Sequence, residues 1–137
     1  MSQKTTRSVI LSLALLLALS AGALPAAAAD PEGFQITIDV APNILNLSNQ
    51  GTVVTVHTDI GYSAVAGSTV YLNGVPIYFW KSDSRGYFVA KFVMNEVKDL
   101  PLVIDGYNTL TMVGTTKAGE AFWGTQDILV IDRGPGR

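Results

Sequence analysis

The stretch Ser68–Val93 reads STVYLNGVPIYFWKSDSRGYFVAKFV. It holds three short β-forming runs separated by two turn signals. Thr69-Val70-Tyr71-Leu72 alternates, which places Val70 and Leu72 on one face. Asn73-Gly74 follows, a strong hairpin signal because both residues tolerate positive φ. Pro76 limits pairing, since proline has no N–H to donate. In Ile77-Tyr78-Phe79-Trp80, either Ile77 and Phe79 or Tyr78 and Trp80 point inward. The other pair must then lie on a sheet face or at an edge. Ser82-Asp83-Ser84-Arg85-Gly86 is the second turn. From Tyr87 to Met94 the alternation is clean: Phe88, Ala90, Phe92 and Met94 face in, and Tyr87, Val89, Lys91 and Val93 face out.

The same grammar extends in both directions. Upstream, Phe34, Ile36, Ile38 and Val40 share one face of an alternating strand that Pro42 ends. Ile44–Leu47 resumes as a short edge strand, because a proline-interrupted first strand can move between the two sheets of a sandwich. After the turn cluster Ser48–Gly51, the run TVVTVHTDI (52–60) turns Val54, Val56 and Ile60 inward with Thr58 between them. Downstream, Asn95–Leu100 loses the β pattern and reads as one helical turn or a crossing loop, ended by Pro101. Thr109–Thr115, with Leu110 and Met112 inward, and Glu120–Ile131, with Phe122, Ile128 and Val130 inward, flank a hairpin at 116–119. Seven to eight short strands at near-regular spacing, with no long helical period, predict an all-β antiparallel sandwich.

The first 29 residues predict a cleavable signal peptide. Lys4 and Arg7 precede an apolar run from Val9 to Leu19, and Ala27-Ala28-Ala29 offers a small-residue cleavage site. The strongly apolar part is shorter than the roughly 20 residues of a spanning helix. The expected organisation is a signal peptide over 1–29, one sandwich domain over 30–132 and a flexible tail over 133–137. The expected location is across the bacterial inner membrane, periplasmic or extracellular. The chain has no Cys, so no disulfide supports the core and no lipid attaches at a cleavage-site Cys. Its formal net charge is −2 with the leader's cations included. No basic cluster occurs, which argues against nucleic acid as a partner.

Three segments resemble exported bacterial immunoglobulin-like domains. Ile36-Thr-Ile-Asp-Val-Ala-Pro-Asn43 with Leu45-Asn-Leu47 is similar to the opening of a secreted bacterial and archaeal β-domain. Val70-Tyr-Leu-Asn-Gly74 with Asp83-x-x-Gly86-Tyr-Phe88 resembles a hairpin of Ig-like surface-protein domains. Leu102-x-x-Asp105-Gly-Tyr-Asn108-Thr-Leu-Thr with Lys117-Ala-Gly119 is similar to their closing strands, and Phe122-x-Gly124-x-x-Asp127-x-Leu-Val130 to the last strand of the first family. The resemblance implies an Ig-like sandwich, a fold reused for adhesion, spacing, carbohydrate binding and assembly. Relatives of the first family carry a more acidic loop at the position of Lys81–Gly86, where this chain has one acid and two bases.

Few residues offer chemistry. His57 is the sole His, and it falls on the strand face away from the apolar stripe; with no Cys, neither a catalytic triad nor an N/S zinc site is expected. The acids are scattered and mostly at turns, as Asp83 and Asp105 are. Asn46-Leu47-Ser48 fits a glycosylation sequon, expected to be incidental in a bacterial export context. No enzyme activity and no cofactor are expected. The aromatic residues are the suggestive set. Tyr78, Phe79, Trp80 and Trp123 form the candidate binding face, because adjacent aromatics in a strand cannot all face the core. The expected function is protein contact or self-assembly at the cell envelope, with a carbohydrate-binding module as the alternative.

Overall fold

Alternating β-branched and apolar residues produce strands wherever the turn residues leave room for them. The computed structural model describes residues 31–134. The expected signal peptide and residues 135–137 of the expected tail lie outside them. Among the described residues ten strand segments occur: β1 (Phe34–Gln35), β2 (Ile38–Ala41), β3 (Ile44–Asn46), β4 (Val53–Gly61), β5 (Val65–Leu72), β6 (Val75–Pro76), β7 (Phe79–Ser82), β8 (Tyr87–Val93), β9 (Gly106–Thr116) and β10 (Ala121–Ile131). Only β1 and β6 are as short as two residues. A 3-10 turn, Tyr62–Ala64, joins β4 to β5. The segment after β8 is a single helical turn, α1 (Met94–Lys98), rather than a crossing loop.

The strands form two packed sheets. Sheet A has the order β1-β10-β9-β5-β6, with β3 also paired to β10; sheet B has the order β2-β4-β8-β7. The ladders are antiparallel except that β1 and β3 run parallel to β10. That departure from a wholly antiparallel sandwich comes from the first strand, which changes sheets instead of turning back on itself.

The core between the sheets follows the alternation. Val54, Val56 and Ile60 from β4, Val70 and Leu72 from β5, Phe88, Ala90 and Phe92 from β8, Leu110 and Met112 from β9, and Phe122, Ile128 and Val130 from β10 are all buried. Thr58 is buried among them because its hydroxyl donates to the Phe88 carbonyl at 2.6 Å. Two expectations fail. Phe34 is 42% exposed, not inward, because β1 lies at the sandwich rim, where its ring rests 6.1 Å from Phe122. Val89 is buried although it projects from the outer face of sheet B. The longer His57 and Lys81 stand on either side of it in register, and a short side chain between long ones is shielded from water.

Both lateral openings of the sandwich are closed in the same way, by a strand that passes from one sheet to the other. On one side, the Ile36 N–H donates to the Trp123 carbonyl of sheet A at 2.7 Å, and the next residue, Thr37, accepts from Asp59 N–H of sheet B. On the other side, Ile77 N–H donates to Val70 of sheet A at 3.0 Å, and Tyr78 N–H donates to Lys91 of sheet B at 2.8 Å. Each crossing packs on a glycine of sheet A. A Cβ on Gly124 would lie 2.8 Å from the Ile36 carbonyl oxygen and 2.8 Å from an Ile38 methyl. A Cβ on Gly67 would lie 2.3 Å from the Trp80 indole. These glycines are required for space, not for a special φ.

Candidate binding surface

The four aromatic residues expected to form a face are not brought together. Tyr78, Phe79 and Trp80 lie on or beside β7, an edge of sheet B, whereas Trp123 projects from the outer face of sheet A. Neither inward pair expected for 77–80 occurs as such. Ile77 packs against the core, and Trp80 stands opposite Ala90 on the inner side, while Tyr78 and Phe79 are 65% and 51% exposed. The ladder of β7 with β8 begins at Phe79, opposite Lys91, and places Trp80 inward and Phe79 outward. Tyr78 precedes it on the crossing segment, where its N–H donates to the Lys91 carbonyl, so the two-residue alternation of β7 does not extend back to Tyr78.

Trp80 works as a plug in the lateral opening between β7 and β5. Its indole lies on Gly67, and the residue as a whole remains 36% exposed. Gly67→Ala is expected to push the indole into water. In a Trp123→Phe background, which leaves Trp80 as the single tryptophan, the emission maximum should move to the red. The domain should lose about 1–2 kcal/mol of stability in urea melts. An unshifted spectrum would contradict the packing of Trp80 on Gly67.

The turn after β7 uses its acid for structure. The Asp83 carboxylate accepts the N–H of Arg85 at 2.8 Å and of Tyr87 at 2.9 Å, and the Arg85 guanidinium lies 3.8 Å from its other oxygen. The Tyr87 N–H is the largest influence holding the Asp83 carboxyl below its ordinary value of 3.8, with the Arg85 N–H and charge adding to it. A depressed folded-state pKa stabilises the fold fully above that ordinary value. The contribution is lost as pH falls through the lower folded value. Asp83→Asn is therefore expected to lower the melting temperature at neutral pH and to flatten this part of the acid limb, measured by thermal melts across pH.

Asparagines near strand ends imitate backbone. The Asn46 amide donates to the Arg133 carbonyl at 3.0 Å and accepts the Arg133 N–H at 3.0 Å, which prolongs the β3–β10 pairing by one step. The side chain of the sequon is thus committed to the fold. Asn73, at φ 47, donates to the Thr109 carbonyl and accepts the Thr111 N–H, and so ties the β5–β6 hairpin to β9. Asn108 clamps the preceding turn through Val103 and Gly106.

A shallow hollow of about 370 Å³ on sheet B is lined by Thr37, Asp39, His57, Thr58, Asp59 and Arg85, with Ile38 at its base. Asp59 takes the Thr37 N–H at 2.9 Å, and the Thr58 hydroxyl is buried and committed to Phe88. Among the described residues, no group of three or more His, Asp or Glu is placed to hold a metal ion. No helix among them is long and apolar enough to cross a membrane.

Sheet A carries an outward-facing row, half-buried at Trp123 and exposed at Val113 and Tyr71, that needs strand register to be seen. Trp123 stands opposite Val113, Val113 opposite Tyr71, and Tyr71 opposite Pro76. The alternation of Val70 and Leu72 already turned Tyr71 outward in the sequence; its neighbours in space were not readable there. Set beside protein-family models, curated proteins and solved structures, the chain matches none of them.

Proposed function

We propose that the chain is an exported, non-catalytic immunoglobulin-like module that makes protein–protein contacts at the cell envelope, with a partner or with further copies of itself. The observation that carries this reading is the pair of rings at Tyr78 and Phe79. Both are turned to water beside β7, which among the described strands is hydrogen-bonded to β8 alone. A free edge strand offers unpaired N–H and C=O groups for strand addition, and adjacent aromatic rings supply apolar contact area. The Ig-like reading is supported by strand order. The sequence β2-β4-β8-β7 follows the A-B-E-D order of Ig sandwiches, and β10-β9-β5 follows G-F-C. The inter-sheet disulfide of antibody domains has no counterpart, since the chain has no Cys.

The test is cross-linking in native envelope fractions, with sedimentation of the purified chain beside it. The wild type is expected to give a cross-linked species or a self-associated form. The Tyr78→Ser/Phe79→Ser variant should lose it while melting at an unchanged temperature, because both side chains are exposed. A strictly monomeric, partner-free wild type would sink the reading.

A further inference from the structure

We propose that the outer face of β10, β9 and β5 binds a neutral, β-linked polysaccharide, at a surface separate from the β7 edge. Even-numbered residues of β9 and β10 point into the core, so the odd-numbered ones form this face. Its centre is the row Trp123–Val113–Tyr71, with Tyr71 43% and Val113 37% exposed. The Trp123 Nε1 donates to the Gly33 carbonyl at 3.3 Å, which holds the indole in one orientation. Trp123 and Tyr71 stand two strand spacings apart, about 10 Å. That separation is comparable to the length of a β-linked disaccharide, so alternate sugar rings of one chain can meet the two aromatic side chains. The small Val113 leaves a low saddle between them.

The charge pattern selects the partner. No Lys or Arg lies on β5, β6, β9 or β10, and their sole carboxylate, Asp127, is engaged by the Thr109 hydroxyl at 2.6 Å. Beside the row, Thr111 and Thr125 stand opposite each other and offer hydroxyls. Sheet B, by contrast, carries Asp39, His57, Asp59, Lys81 and Lys91 on its strands. A face of aromatic rings and hydroxyls, with no cation and a single carboxylate at Asp127, complements a neutral ligand with apolar ring faces and hydroxyl edges. A stable protein interface covers about 800 Å² on each side around an apolar centre; this apolar row is one side chain deep and bordered by threonines.

The experiment is native affinity electrophoresis of the purified chain in gels containing hydroxyethyl cellulose or glycol chitin, followed by titration with cellohexaose and chitohexaose. Retardation by at least one of these neutral polymers is expected, unchanged when salt is raised. Tyr71→Ala and Trp123→Ala should each weaken binding by about tenfold, the loss of one aromatic stack. Val113→Lys, at an exposed strand position, should abolish binding with the melting temperature retained, and Tyr107→Ala should bind like the wild type. No retardation in either polymer, or retardation that survives Val113→Lys, overturns the proposal. So does a dimer in sedimentation that Val113→Lys dissociates, since the face would then be a protein interface. The Tyr78→Ser/Phe79→Ser variant should bind the glycan normally, so failure of the edge contact and failure of this face are read separately.

Discussion

Phe122→Ala is expected to destabilise the domain by about 3–5 kcal/mol. Phe122 is fully buried on β10, and its ring reaches across the ladder toward Gly114 on β9. A Cβ at Gly114 would lie 2.7 Å from the Phe122 Cζ and 2.9 Å from a Val70 methyl, so ring and methyl meet over bare backbone. Removing the ring leaves a void that Gly114 has no side chain to fill. The cost of such a substitution rises with the cavity that remains. Phe34 also loses the ring it leans on at 6.1 Å. Domains of this size have a total stability of about 5–15 kcal/mol, so the variant should be near the limit of folding. Urea unfolding checks this. A loss under about 1 kcal/mol would mean that the core collapses around the site, against the close packing expected of a protein interior. Phe122→Leu, which keeps most of the volume, should cost distinctly less.

That core was legible in the sequence because it depends on alternation alone. Val54, Val56, Ile60, Phe88, Ala90, Phe92, Leu110, Met112, Phe122, Ile128 and Val130 are buried where the two-residue period puts them. Ile44–Asn46 is the second strand of a sheet-switching pair, as the proline at position 42 suggested. What the sequence hid depends on contacts between distant segments. Tyr78 and Phe79 are both exposed because Tyr78 belongs to the crossing between the sheets, held by the Lys91 carbonyl of another strand, and no local pattern announces where β7 begins. Trp80 turns inward because Gly67 leaves space for it. Val89 is buried through its neighbours His57 and Lys81, each from a different strand. The aromatic character of the candidate surface was therefore readable, but its division between two sheets was not. The row Trp123–Val113–Tyr71 requires the register of three strands at once.

Gly124→Val is the second large effect, expected to cost about 3 kcal/mol, near the top of the usual range for overpacking. The two crossings look alike in outline but differ in what can yield. At Gly67 the obstacle to a Cβ is the Trp80 indole, a side chain at an open edge that can swing into water. At Gly124 the obstacles are the Ile36 carbonyl oxygen at 2.8 Å and the buried Ile38 methyl at 2.8 Å. The backbone there is tied down: Ile36 N–H donates to Trp123 at 2.7 Å, and Val40 N–H donates to the Gln126 side chain at 2.6 Å. Any shift that relieves the clash must stretch those bonds, and Ile36, Ile38 and Val40 then leave the core together. Amide exchange should lose protection at Ile36 and at β2 before it does at β8 or β9. Gly124→Ala should fall between wild type and valine. Release of this segment would also bare the edges of β10 and β4, so the valine variant should aggregate on warming, whereas Gly67→Ala should not. Equal costs at the two glycines would refute the distinction between a crossing held by backbone and one plugged by a movable ring.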